Sequence, residues 1–363
     1  MNILINTITA WYEPPRARHQ VTNELIKSHS VYFIARNEVG APNIKIEKYG
    51  NFNLVIPYFP VDYKYRYRIP LLNELYQHWL FKKTKKIIPN VDYVINFDFT
   101  ATKIFKYYRN IVYYCNDEYI GNSKYTNVFI DNYHKNAENV VIKKSNFCIA
   151  TAPFLRNKLI KLNKKTYEIP LGAPDISNYG IKPSGYNNNK KPITVGLVGF
   201  ITLRNISYDL INQLSLNENF NLILVGPVEK EFMDQLLNTD NIKFTGTLKG
   251  RDLYNEINLF DVAIAPYDLN KINPGTSPNK MWQYMALGKP VVITDLPNLS
   301  SFHFSEKVIY VAKEYNAFSN LILKAYKENR DKLIDERIQI AQKNRWTEKV
   351  KEFERIAQEN FRF

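Results

Sequence analysis

The chain is poor in the side chains that redox and metal chemistry draw on. Its 363 residues include two cysteines, Cys115 and Cys148, both in apolar stretches, and five histidines. That usage reads as free, buried thiols in a reducing, cytoplasmic setting, and it offers nothing on which to build a metal site. No Asp-x-Asp pair occurs, so a shared divalent cation is not expected. No apolar run approaches the roughly 18 residues that a membrane-spanning helix needs. Met1–Thr7 has neither a charged leader nor a long apolar core, so it is expected to be a first strand and not a signal peptide.

Acidic residues are the scarcer charge, with 35 Asp+Glu against 49 Lys+Arg and a net charge of +14. The excess is uneven: residues 1–172 carry 25 basic and 13 acidic residues (+12), the remainder 24 and 22 (+2). A basic first half suggests an anionic partner such as a membrane leaflet. No nucleic-acid-binding motif accompanies the charge, so nucleic acid is not an expected partner. The length and the 45% hydrophobic content suit two domains with proper cores.

The second half is organised around residues 273–293, NPGTSPNKMWQYMALGKPVVI. Pro274 and Gly275 do not belong in a helix interior, Thr276 and Ser277 can cap a helix, and Pro278 is tolerated in a first turn. A helix is therefore expected from about Ser277 to Leu287. Gly288 should end it, and Val291–Ile293 reads as a buried parallel strand. A helix N-terminus with Lys280 in its first turn suits a phosphate.

The run from Ser277-Pro-Asn-Lys280 through Tyr284 to Gly288-Lys-Pro-Val-Val292 resembles the donor-binding helix of GT-B glycosyltransferases. The resemblance implies an α/β fold of two Rossmann-like, doubly wound domains facing a cleft, with a C-terminal helix crossing back to the first domain. It also implies a nucleotide-sugar, a UDP- or GDP-sugar, as donor substrate, with no separate cofactor. Large retaining families usually carry Glu just before that Tyr. This chain has Gln283, as the xanthan-type, inverting glucuronosyltransferase does, and it is similar in kind to bacterial glycosyltransferases of surface polysaccharide assembly. A retaining enzyme on the same fold, a nucleotide-sugar 2-epimerase and a non-catalytic binder of anionic surfaces are the alternatives.

The sequence divides into residues 1–172, a linker at 173–191 rich in Pro, Gly, Ser and Asn, residues 192–345, and a closing helix at 346–363. In the second domain, strands ending in Gly199, Gly226 and Gly246 repeat a βα pattern with glycines at one rim. Gly199 and Gly226 allow close backbone approach, Phe200 follows the first of them, and Arg204 can pair with a diphosphate. The resemblance places the base near Thr247 and Leu248 and the sugar near Tyr267. Thr276, Ser277, Lys280, Met281 and Gln283 complete the expected donor set.

In the first domain the resemblance places the acceptor, a glycan or a polyprenyl-pyrophosphate-linked glycan. The loop after the first strand offers Trp11, Glu13, Arg16, Arg18 and His19; its arginines suit an acceptor phosphate and Trp11 a sugar ring. A helix is expected from Gln20 to Lys27. Asp117, beyond a strand at 110–115, is the candidate base that takes the acceptor proton, with Glu118 and Asp98 in reserve. Lys280 is the candidate stabiliser of the leaving group. Residues 57–70 interleave Tyr with Lys64, Arg66 and Arg68, which reads as a membrane-interface segment or a basic edge strand. A helix follows at 71–88, with Leu72, Leu75, Trp79 and Leu80 expected on one side. Together they suggest peripheral contact with the inner face of the cytoplasmic membrane.

Overall fold

The computed structural model describes all residues except 121–126, 188, 303, 306 and 362–363. The chain packs as two units, Met1–Leu171 with Lys349–Phe363, and Gly172–Glu348. Both are mixed α/β.

The first unit is built on β1 (Asn2–Asn6), β2 (Ser30–Ile34), β3 (Glu38–Val39), β4 (Asn43–Tyr49), β5 (Phe52–Phe59), β6 (Tyr93–Asn96), β7 (Ile111–Cys115), β8 (Phe147–Ala150) and β9 (Thr166–Glu168). Their order is β3-β5-β2-β1-β6-β7-β8-β9, parallel throughout, with β4 folded antiparallel onto β5. Ile3, Leu4 and Ile5 are wholly buried, as are Ile111–Val112. Covered on both faces, these strands are continuous apolar runs and not alternating ones. The Lys349–Phe363 segment belongs to this unit: Phe361 lies 5.4 Å from the Tyr93 ring and 5.1 Å from Phe147, and Phe353 packs on Tyr114.

Three features differ from the expectation. β4 is an added edge strand; its alternation of Ile44 and Ile46 with Lys45 and Glu47 is the period of a half-covered strand. The Tyr-rich segment is neither a flat strand nor a basic face, because Asp62 caps a short helix, Tyr63–Arg66. Arg66 turns inward, 2% exposed, bonding to Asn37 and Asn73 and lying 3.8 Å over the Tyr76 ring. In the Pro70–Ile87 helix the buried stripe is Asn73, Tyr76, Gln77, Leu80, Phe81 and Thr84, and Leu71 and Leu75 face out. Burying Asn73 and Gln77 is tolerable because Thr100 accepts from both, at 3.1 Å to its hydroxyl and 2.7 Å to its carbonyl.

The second unit carries β10 (Ile193–Val198), β11 (Phe220–Val225), β12 (Ile242–Gly246), β13 (Val262–Ala265), β14 (Val291–Thr294) and β15 (Ile309–Ala312). All are parallel, in the order β12-β11-β10-β13-β14-β15. Strand order reverses between β10 and β13, and the crevice beyond the carboxyl ends of such a pair is where open α/β sheets bind ligands. Residues 173–191 do not hang free as a linker: Ile176, Tyr179 and Ile181 pack on this unit's core. Their turn-rich composition carries no periodic signal of that contact.

Arg337 clamps this unit. Wholly buried on the Asp331–Lys343 helix, it donates to the carbonyls of Val308 (3.0 Å), Gly288 (3.1 Å) and Lys307 (3.1 Å) and to Asn329 Oδ1 (2.8 Å). Burial pulls its pKa down to about 10, still leaving it charged at neutral pH. Arg337→Met should therefore strip four acceptors at once and cost the second unit about 3–5 kcal/mol; a urea titration reading that unit's unfolding checks this, and a loss under 1 kcal/mol would contradict it.

Candidate functional site

The site of the second unit forms where β10, β11 and β13 end. Gly199 and Gly226 have φ of +138° and +125°, a backbone that side-chain-bearing residues avoid. A Cβ on Gly226 would stand 2.1 Å from the Gly199 carbonyl oxygen, and one on Gly199 would stand 3.1 Å from Lys280 Nζ. The glycines thus leave room in front of the ammonium group. Lys280 Nζ lies 5.0 Å from the Tyr267 ring centroid.

The helix carrying Lys280 runs Asn279–Ala286, two residues shorter at its start than expected. Pro278 occupies the cap position instead of the first turn, and Asn279 N donates to Ser277 O at 2.8 Å. No acidic residue sits in the first turn to offset the positive end of the helix. Burial lowers the Lys280 pKa to about 8.

Of the expected donor residues, Gly199, Gly226, Tyr267 and Lys280 come together directly. Arg204 is exposed on a loop fixed beside Tyr267, since Asp268 N donates to Asn205 O and Ile206 bridges to Tyr267. Phe200 is 58% exposed, Thr247 is exposed, and Leu248, Thr276, Ser277 and Gln283 are half-buried. Met281 is wholly buried, so it packs the core and does not reach a ligand. Two residues that shape the site were not expected. Tyr284 OH accepts from Val198 N (2.8 Å) and donates to Ile264 O (3.2 Å), and Asn298 Nδ2 donates to the carbonyls of Pro274 and Thr276, both at 2.8 Å. Tyr284 stood inside the noted motif; Asn298 has no local pattern to betray it.

In the first unit the helix after β1 begins at Ala17, not Gln20. His19 is spent on its start: Nδ1 accepts from Arg16 N at 3.0 Å and Nε2 faces Ala10 O at 3.2 Å. Burial, first of all, lowers its pKa, which keeps the ring neutral. Trp11 is not presented to a ligand; its ring lies 4.2 Å from Phe52 and 5.0 Å from Phe33. Glu13 is held by Arg36 at 2.7 Å and Arg16 at 3.5 Å. Arg16 is otherwise exposed, whereas Arg18 is 3% exposed.

The three carboxylates separate by environment. Asp98 is buried and accepts from both the N–H and the hydroxyl of Thr100 at 2.8 Å, a structural turn. Glu118 is gripped by Lys158 at 2.7 Å, which also pairs with Glu138. Asp117 is half-buried with its pKa raised to about 6, by burial above all, then by Glu118, against the pull of Arg18 and Arg16. A carboxyl so placed is poised to exchange a proton near neutral pH.

Residues 201–328 match the family model described as Glycosyl transferases group 1. A putative teichuronic acid biosynthesis glycosyltransferase of Bacillus subtilis (strain 168), TuaH, is 23% identical over 205 residues, covering 52% of this chain. The chain spans about half, 51%, of the length of that curated relative. Among solved structures, the E. coli trehalose-6-phosphate structure with bound UDP-2-fluoro glucose superposes with a TM-score of 0.71 at 9% identity, covering 98% of this chain and 99% of that one. Anabaena HepE in complex with UDP and glucose gives 0.68 at 14% identity, covering 98% of both. The fold is GT-B.

Lys280 makes a pH signature. It titrates near 10.4 in an unfolded chain and about 8 here, so between those values the unfolded chain binds more protons and stability rises with pH. Lys289, held down to about 8 by burial, adds to the rise. Lys280→Met should be more stable than the parent at pH 7 and gain less between pH 8 and 10; an unchanged pH slope in denaturant titrations would contradict the placement.

Proposed function

We propose, from the match of residues 201–328 to the family model described as Glycosyl transferases group 1, that the chain moves a sugar from a nucleotide-sugar to a glycan acceptor in bacterial surface polysaccharide synthesis. The observation that carries this is the Lys280 ammonium group standing over Gly199, a positive-φ glycine that in turn packs on Gly226, at the strand-order reversal of the second unit. A diphosphate set there meets the ammonium, the positive end of the Asn279–Ala286 helix and a backbone without side chains. The UDP bound to Anabaena HepE and the teichuronic acid role of TuaH support the choice of donor and pathway class.

The proposed step is a single displacement. An acceptor hydroxyl oxygen bonds to the anomeric carbon, the bond from that carbon to the diphosphate oxygen breaks, and the hydroxyl proton passes to Asp117. Lys280 and the helix end take up the charge that develops on the leaving diphosphate, so the step calls on no divalent cation. Gln283, in the place where retaining families carry Glu, favours inversion.

Peripheral membrane contact belongs to the same reading. Tyr65 (62% exposed), Ile69 (50%), Leu71 (70%) and Leu75 (57%) lie on and beside the Pro70–Ile87 helix, which ends in exposed Lys82, Lys83 and Lys86. Apolar residues next to lysines suit an anionic leaflet.

A thermal-shift panel of uridine, guanosine and cytidine nucleotide-sugars should show one stabilising donor, with Lys280→Met weakening it about tenfold or more. Asp117→Asn should keep donor binding and lose about 10²–10⁴ in transfer rate. The parent rate should rise with pH through about 6, the value to which burial lifts the Asp117 carboxyl; unimpaired turnover by the variant would remove Asp117 from the mechanism, and a product of retained configuration would remove the single displacement. Leu71→Asp with Leu75→Asp should reduce sedimentation with anionic vesicles; equal sedimentation would sink the membrane contact.

A further inference from the structure

Among the described residues three arginines are almost entirely buried, and two of them are accounted for. Arg66 bonds to Asn37 and Asn73 and stacks on Tyr76; Arg337 holds four acceptors. Arg18 is 3% exposed, and its Nε and Nη1 are sealed from solvent with no hydrogen-bond partner. A guanidinium does not shed its proton to escape such a place, so a buried charge whose Nε and Nη1 donate to nothing remains inside the protein.

The position of Arg18 is as telling as its isolation. It is the second residue of the Ala17–Leu25 helix, whose first turn contains no acidic residue, so the positive end of the helix adds to the guanidinium. That helix starts after the carboxyl end of β1, the rim on which ligands of parallel sheets sit. Glu13, the acid of the same loop, is already taken by Arg16 and Arg36. The charge of Arg18 acts on Asp117, the carboxylate assigned as base, and on Tyr119.

We propose that Arg18 is the anion-recognising residue of the first unit and that it takes a phosphoryl group carried by the acceptor. A phosphoryl group has enough free oxygens to accept from the guanidinium and from the helix N–H groups together, whereas the guanidinium fork alone fills a carboxylate. The word acceptor rests on the transferase reading above; the anion site does not. The class of reaction that supplies this substrate is then one that leaves a sugar or lipid phosphate ester, or diphosphate ester, near the hydroxyl to be glycosylated.

The test is calorimetric titration of the full chain with inorganic pyrophosphate, and separately with UDP, in the parent, Arg18→Met, Arg18→Lys and Lys280→Met. Pyrophosphate should bind the parent at two sites. Arg18→Met should weaken one of them about tenfold or more and leave the other, Lys280→Met should do the reverse, and Arg18→Lys should fall between parent and Arg18→Met. UDP affinity should follow Lys280 and not Arg18. Without ligand, Arg18→Met should melt no lower than the parent, because it removes a buried charge whose Nε and Nη1 have no hydrogen-bond partner. Pyrophosphate uptake unaffected by Arg18→Met, whether or not the variant melts lower, overturns the site. UDP weakened by Arg18→Met as much as pyrophosphate assigns the phosphoryl group to the donor and overturns the acceptor claim. Failure of every nucleotide-sugar in the panel would remove the transferase reading while leaving the Arg18 titration to stand or fall by itself.

Discussion

One phenol holds the second unit's site in register. Tyr284 OH takes the N–H of Val198 and gives its own proton to the carbonyl of Ile264, and these two residues belong to neighbouring strands at the centre of the sheet. Burial pushes its pKa far above the ordinary value, so the donor function persists at any pH the protein meets. Lys280 lies one helical turn earlier on the same face, and its height above Gly199 and Tyr267 follows from that bolt. The loops on either side are pinned separately, by Asn298 under Pro274 and Thr276 and by Thr294 Oγ1 under the N–H of Tyr267. A charged group in a half-buried place is useful only if its neighbours cannot drift, and here backbone groups do the fixing.

The two units handle buried positive charge differently. In the second, Arg337 and Lys289 meet backbone carbonyls, Lys289 through Asn258 O at 2.7 Å, so the charge serves cohesion. In the first, Lys158 is balanced by Glu118 and Glu138, and Arg66 by amide oxygens and an aromatic face. The Nε and Nη1 of Arg18 have no hydrogen-bond partner, and that contrast, more than its charge, distinguishes it from the surplus of lysines on the surface.

Much of the second unit could be read from the chain because buried parallel strands are written as uninterrupted apolar runs closed by glycine. Ile193–Val198 followed by Gly199 and Phe220–Val225 followed by Gly226 needed no tertiary information. The first unit resisted where tertiary partners override local pattern. The Pro70–Ile87 helix seats Asn73 and Gln77 against Thr100 and leaves leucines outside, so its amphipathic stripe points the wrong way for a reader with the sequence alone. Trp11 and His19 looked available because a loop after a first strand usually is. The aromatic rings of Phe33 and Phe52, distant in sequence, claim the one, and a helix start claims the other. Asp117 is the sequence's candidate base with Glu118 and Asp98 in reserve; Thr100 and Lys158 occupy the two reserves.

The first unit is assembled from two lengths of chain with the whole of the second unit between them. Tyr93, Tyr114 and Phe147 wait for Phe353 and Phe361, which leave the ribosome about 180 residues after Leu171, many seconds later at ordinary elongation rates. The unit made first is therefore finished last. During that interval a nascent chain shows a ring-lined gap that invites chaperones, and a premature stop late in the message would leave the gap open for good.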